Sequence, residues 1–154
     1  TAAARRKPAE PTVGGGGGTA QDPPRGSGVD GTYRGQGGGD AGYVMVIEAG
    51  VVKSFNGTLG LSCTKRRAIG SHPFSMVGDD PGPAVAPDGS FGWEATSGYG
   101  FTKLRFTGKV AGGRVTGNVV VEYRPPISGA DPVSGMPRME FDYCFAGRDY
   151  TLAR

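Results

Sequence analysis

Few residues in this chain are of a type that carries out chemistry. It has two cysteines, Cys63 and Cys144, and one histidine, His72. A catalytic cysteine needs a base, usually histidine, to form the reactive thiolate. His72 lies in a proline-rich segment with no sequence link to Cys144, and the nearby Asp142 carboxylate disfavours a thiolate. We therefore predict no catalytic residue and do not expect an enzyme.

A metal site or cofactor site is not expected either. Two cysteines and one histidine do not complete a zinc site, and no C-x-x-C spacing is present. The loop acids Asp79, Asp80 and Asp88 lack the alternating ligands of a calcium loop. The glycines do not match a phosphate-binding motif. The sequence therefore predicts no metal and no cofactor.

The cysteine pair favours a structural disulfide. A Cys63–Cys144 bridge would close a loop of about eighty residues and would indicate an oxidising compartment. One feature of the sequence argues against this bridge. The stretch 138–146 alternates like a single strand, and Cys144 falls on the face opposite its bulky apolar side chains, which are Met139, Phe141, Tyr143 and Phe145.

Composition divides the chain into two parts. Residues 1–30 are rich in Gly and Pro and contain no apolar side chain larger than Val. Such a segment cannot bury enough apolar surface to order itself. We predict a flexible arm at 1–30, acting as a tether or as a donor strand to a neighbouring subunit, and one folded domain at 31–154.

Period-two apolar patterns separated by glycine-containing turns predict an all-β domain. Turns are expected at 49–50, 56–57, 88–89 and 111–113. About eight strands at this spacing favour an antiparallel β-sandwich or a small up-and-down barrel. Two long connections, 70–89 and 125–135, are either binding loops or tolerated insertions.

The net charge of +3 is small and its basic residues are scattered. Nucleic-acid binders concentrate Lys and Arg near aromatic residues that stack on bases, so we predict no nucleic-acid partner. No stretch has the apolar length of a membrane helix, so no membrane span is expected.

The order of these signals resembles an uncharacterised β-rich domain of secreted bacterial proteins. The pattern is G-x-Y-x-G, L-x-C, D-G-x-F, F-x-G, C-x-x-G and a terminal A-R. The matching residues are Gly31, Tyr33, Gly35, Leu61, Cys63, Asp88, Gly89, Phe91, Phe106, Gly108, Cys144, Gly147, Ala153 and Arg154. The resemblance implies an extracellular β domain with a bridge between the two cysteines, and no known activity.

Two functions follow as hypotheses. The first is a secreted, non-catalytic surface or assembly module that forms a homo-oligomer or filament through its N-terminal arm. The alternative is an extracellular module that binds a protein, a glycan or a cell-wall polymer. The residues expected on the ligand surface are Trp93, Tyr99, His72, Asp79 and Asp80.

Overall fold

The structure is a computed structural model that describes residues 28–37, 42–65, 68–76, 82–97 and 101–154. These ranges contain no helix, and so none with the length and apolar character that a membrane span requires. The ten strands are β1 (Gly31–Gly37), β2 (Tyr43–Glu48), β3 (Val51–Cys63), β4 (Ile69–Ser75), β5 (Ser90–Ser97), β6 (Thr102–Ala111), β7 (Arg114–Tyr123), β8 (Pro126–Ala130), β9 (Pro137–Phe141) and β10 (Cys144–Ala153).

Eight of the strands form one antiparallel sheet in the order β4-β3-β2-β1-β10-β7-β6-β5. The sheet consists of two meanders, β1 to β4 and β5 to β7, on either side of β10. Strands β8 and β9 form a separate two-stranded ribbon between β7 and β10. The predicted all-β antiparallel fold is confirmed.

The sheet closes on itself because β3 pairs with β10 as well as with β2. Cys63 lies opposite Cys144, and Ser62 lies opposite Phe145. Strands β1, β2, β3 and β10 therefore form a small closed barrel, with β4 outside β3 and β5 to β7 outside β10. At this junction Cys63 and Cys144 form a disulfide, with Cα atoms 4.0 Å apart.

The core is centred on the fully buried ring of Phe55 in β3. Its centroid lies 5.1 Å from that of Phe106 in β6 and 4.9 Å from that of Tyr150 in β10. Phe74 in β4 and Tyr43 in β2 pack against it at 5.2 and 6.0 Å. Because these rings come from both meanders, burying them holds the two halves of the sheet together.

Only the last three residues of the predicted arm are among the described residues. Val29 packs on the core, and its carbonyl accepts a hydrogen bond of 2.6 Å from the Tyr33 hydroxyl. The Asp30 carboxylate accepts bonds from both backbone N–H groups of the 49–50 turn. The Gly28 carbonyl accepts a hydrogen bond of 3.3 Å from the Arg154 guanidinium, so residues 28–30 all contact the domain. The rest of the predicted arm, to which the tether or donor-strand role was assigned, lies outside the described residues.

Three of the predicted turns are present and one is wrong. Turns occur at 49–50, 88–89 and 111–113, each with positive φ angles. The Asn-Gly pair at 56–57 instead lies inside the thirteen-residue strand β3. Gly57 is needed there because a side chain would collide with the rings of Tyr43 and Phe74. The glycine permits close ring packing rather than a reversal of the chain.

The single strand predicted for 138–146 is also wrong. It is split into β9 and β10, with Asp142 and Tyr143 between them. The buried face is the one that carries Asp142 and Cys144, whereas Phe141 and Phe145 are exposed. The objection to the disulfide therefore does not hold, because Cys144 lies on the buried face.

The two long connections are shorter than predicted. Residues 69–75 form β4, which pairs with β3, and residues 126–130 form β8. After the undescribed residues 77–81, the chain runs beside the start of β3, where the Val52 N–H donates to the carbonyl of Pro83. Much of each predicted loop is thus paired backbone.

Removing the disulfide is expected to destabilise the domain strongly. The bridge spans 81 positions of sequence, and closing such a loop in the unfolded chain is worth about 4 kcal/mol. We expect denaturant titrations to give the double variant, Cys63→Ala with Cys144→Ala, a free energy of unfolding about 4 kcal/mol below that of the wild type. Reduced wild-type protein is the control. If the double variant and the reduced wild type each lose less than about 1 kcal/mol of unfolding free energy, the bridge has no structural role.

Gly117→Ala is expected to destabilise the domain by about 1–3 kcal/mol through overpacking. A Cβ at this position would collide with the Thr107 carbonyl and the Tyr150 hydroxyl. Gly147→Ala is the matched control, because its Cβ would make only an ordinary contact, 3.7 Å from Val120. Thermal and denaturant unfolding of both variants should separate them, and equal losses would contradict the predicted close approach.

Candidate functional site

His72 and Trp93 line the same groove, which has a volume of about 260 Å³. The groove lies where β4, from the first meander, faces β5 and β6, from the second. Its other lining residues are Pro73, Phe74, Ser75, Ala95, Thr102 and Leu104. The structure therefore brings together two of the five residues that the sequence placed on a ligand surface.

Strand alternation explains the position of Trp93. Phe91, Trp93 and Ala95 occupy alternate positions of β5 and so point to one face of the sheet. Trp93 lies opposite Phe106 of β6, and the two ring centroids are 5.5 Å apart. Phe106 is fully buried, whereas Trp93 is only half-buried. The indole thus forms the boundary between the core and the groove.

His72 lies in strand β4 rather than in the loop that the sequence indicated. It is opposite Leu59 of β3, and its ring packs against Tyr123 at a centroid distance of 4.5 Å. Burial lowers the pKa of the His72 imidazole from its usual value of 6.5, because desolvation disfavours the charged form. The imidazole is therefore mostly neutral at pH 7, and in this form it offers one hydrogen-bond donor and one acceptor.

The lining side chains give the groove an uncharged character. Leu104, Phe74 and Trp93 provide apolar surface, and His72 is the one titratable group among the lining residues that the structure describes. The Ser75 hydroxyl is already bonded to the Asn56 amide oxygen at 2.5 Å. A ligand would thus meet apolar walls and the polar groups of His72 and Thr102.

Three of the five predicted ligand residues are not among those that the structure describes. Tyr99, Asp79 and Asp80 lie outside the described residues.

A second surface cavity is too small to hold a small-molecule ligand. It has a volume of about 30 Å³, which is room for one water molecule. It lies on the outer face of the sheet and is lined by Lys103, Arg105, Val120 and Glu122. These alternating charges on neighbouring strands are typical of a solvated sheet face.

The sequence missed an exposed aromatic surface, formed by Phe101, Phe141, Tyr143 and Phe145. Phe101 stacks on Phe141 at 5.3 Å, and Tyr143 stacks on Phe145 at 5.7 Å. The guanidinium of Arg124 lies 5.9 Å from the centre of the Tyr143 ring. A signal for the exposure of Phe145 was present, because a disulfide at Cys144 puts every second residue of β10 on the buried face and so leaves Phe145 on the other.

Asp142 lies close to the disulfide and serves a structural role. It is buried, and its Oδ1 accepts hydrogen bonds from the Thr64 hydroxyl, the Lys65 N–H and the Tyr143 N–H at 2.8–2.9 Å. This carboxylate therefore joins the end of β3 to the start of β10. Asp142 and the two sulfurs form a compact group, but sulfurs joined in a disulfide offer no thiolate to a metal or a substrate.

The free energy of unfolding is expected to fall as the pH is lowered from 7.5 to 5.5. Because burial lowers the folded-state pKa of His72 below the unfolded value of 6.5, the unfolded chain binds the proton first. The contribution of neutral His72 to the free energy of unfolding is fully present above the unfolded-state pKa. It is lost as the pH falls through the folded-state pKa.

His72 is the only histidine, so a His72→Gln variant isolates its effect on stability. We expect the variant to show a flatter pH dependence in denaturant titrations, and an NMR titration of the wild-type imidazole to give a pKa below 6.5. An unchanged slope in the variant, or a pKa above that value, would contradict the burial of this ring.

Comparisons with protein-family models, with curated proteins and with solved structures found no match for this chain. The resemblance to a secreted bacterial domain therefore stays a prediction.

Proposed function

We propose that this chain is a non-catalytic β domain that binds a ligand, and that the groove between β4 and β5 is its binding site. The main support for this proposal is that His72 and Trp93, which come from different meanders, line one groove. An aromatic wall with a few polar groups at its edge is typical of small-ligand sites.

The lining favours an uncharged ligand with one apolar face. A charged group would lose its hydration in the groove without meeting an opposite charge among the described lining residues. A sugar ring has the required chemistry, because one face presents C–H groups to an indole and its edges carry hydroxyls. His72 and Thr102 would pair with those hydroxyls. We therefore favour a neutral glycan, such as a cell-wall polysaccharide.

The disulfide supports a location outside the reducing cytoplasm. Structural disulfides persist in oxidising compartments, and the Cys63–Cys144 bridge joins the two strands that close the barrel. A secreted or cell-surface protein would meet glycans and cell-wall polymers there. The proposed location and the proposed ligand class are thus consistent with each other.

Binding of a neutral oligosaccharide is expected to change the fluorescence of Trp93. This residue is the only tryptophan, so the emission reports on the groove alone. We expect chitooligosaccharides or other neutral cell-wall fragments to give a saturable change. Calorimetry should show affinity weakened about tenfold or more in Trp93→Ala, since aromatic anchors dominate such sites.

Phe145→Ala is the matched control, because it removes an exposed aromatic ring that does not line the groove. It should bind like the wild type. If Trp93→Ala binds the oligosaccharide as tightly as the wild type, the groove is not the site. If Phe145→Ala alone loses binding, the aromatic surface is the site instead.

A further inference from the structure

The ribbon of β8 and β9 exposes apolar side chains outside the main sheet. Met139 and Phe141 of β9 are 75% and 42% exposed, and Met136, just before this strand, is 66% exposed. Two-stranded ribbons are marginally stable when they stand alone in water. Phe, Met and Arg are also the residue types that are enriched in protein–protein interfaces. The ribbon is therefore a candidate interaction surface.

One edge of β9 carries backbone groups that do not face β8. The Asp131 N–H donates to the Met136 carbonyl, and the Asp142 N–H donates to the Pro125 carbonyl. In an antiparallel pair, alternate residues of a strand point their backbone groups at the neighbouring strand. Met136 and Asp142 flank β9 and bond to residues that flank β8, so the even-numbered residues of β9 direct their backbone N–H and C=O groups toward β8. Met139 and Phe141 therefore direct their N–H and C=O groups to the opposite edge.

The charges on β9 are complementary to themselves. In the sequence Pro-Arg-Met-Glu-Phe, Arg138 and Glu140 flank Met139 symmetrically. If β9 pairs antiparallel with β9 of a second copy about a two-fold axis at Met139, each Arg138 lies opposite Glu140 of the second copy. Opposite charges at directly paired positions stabilise a sheet, and like charges destabilise it.

We propose that this chain forms a two-fold symmetric dimer in which β9 pairs with β9 of a second copy. The Met139 N–H and C=O bond across the axis, and each Phe141 N–H donates to the Pro137 carbonyl of the other copy. Pro137 lacks an N–H, which limits the ladder to four hydrogen bonds. The two ribbons become one four-stranded sheet, and a self-complementary patch of this kind is what a two-fold interface requires.

The neighbouring residues favour a second copy over a partner of uniform charge. Around Met139 the surface carries both signs: Glu140 is paired with Lys65 at 3.2 Å and with Arg138 at 3.4 Å. The aromatic surface continues from the ribbon, since Phe141 stacks on Phe101. A polyanionic or polycationic partner would meet like charges here, whereas a second copy would meet the opposite sign at each position.

Charge-swap variants of the full chain test this dimer by sedimentation velocity and light scattering. In Arg138→Glu, two Glu residues face two Glu residues across the axis, and in Glu140→Arg, four Arg residues meet. We expect each variant alone to dissociate about thirtyfold more readily than the wild type, because two attractive pairs become repulsive.

An equimolar mixture of the two variants should form a heterodimer, since every Arg then faces a Glu. The double variant, Arg138→Glu with Glu140→Arg, restores both pairs within one sequence and should dimerise like the wild type. Because these two results are gains of assembly, misfolding of a variant cannot produce them. A mixture that stays monomeric would overturn the proposed register.

Met139→Pro tests the backbone pairing separately. It removes an N–H that points away from β8, so the ribbon should persist by circular dichroism while the dimer is lost.

A shortened chain that begins at residue 28 should still dimerise. A wild-type chain that is monomeric at millimolar concentration, or a dimer that survives Met139→Pro or requires residues 1–27, would overturn β9 pairing. Trp93→Ala should leave the dimer intact, which separates assembly from the groove.

Discussion

The pairing of Cys63 with Cys144 is the constraint on which the rest of the structure depends. These two residues lie directly opposite each other where β3 meets β10. Without this junction the eight strands would form an open, curved sheet, and with it four of them close into a barrel. The buried Asp142 carboxylate supports the same junction by binding the backbone and hydroxyl groups at the end of β3.

Closure has consequences on both sides of the sheet. Inside, it holds the first meander over the second, so that His72 of β4 faces Trp93 of β5 across a groove. Outside, it fixes which face of β10 is buried and leaves Phe145 exposed. The chain between β7 and β10 must also leave the sheet and return, and it forms the separate ribbon. The proposed ligand site and the proposed dimer strand are thus both products of one closed topology.

The sequence predicted the fold class well, because strand alternation and glycine turns are local signals. It failed where a distant contact decides the outcome. Gly57 looked like a turn residue, but the rings of Tyr43 and Phe74 require its missing side chain. The apolar row of Met139, Phe141, Tyr143 and Phe145 looked like core, but the disulfide at Cys144 fixes the opposite face as the buried one. His72 and Trp93 were named as ligand residues, yet no local pattern indicated that β4 and β5 would face each other.

Hydrogen exchange, measured residue by residue by NMR before and after reduction of the disulfide, tests this dependence most directly. We expect reduction to accelerate exchange at the β3–β10 junction, because the disulfide lies at this pairing. Amides in the β6–β7 hairpin should remain protected, since their pairing is local. Unchanged exchange at the junction would contradict the account, because closure would then be independent of the bridge.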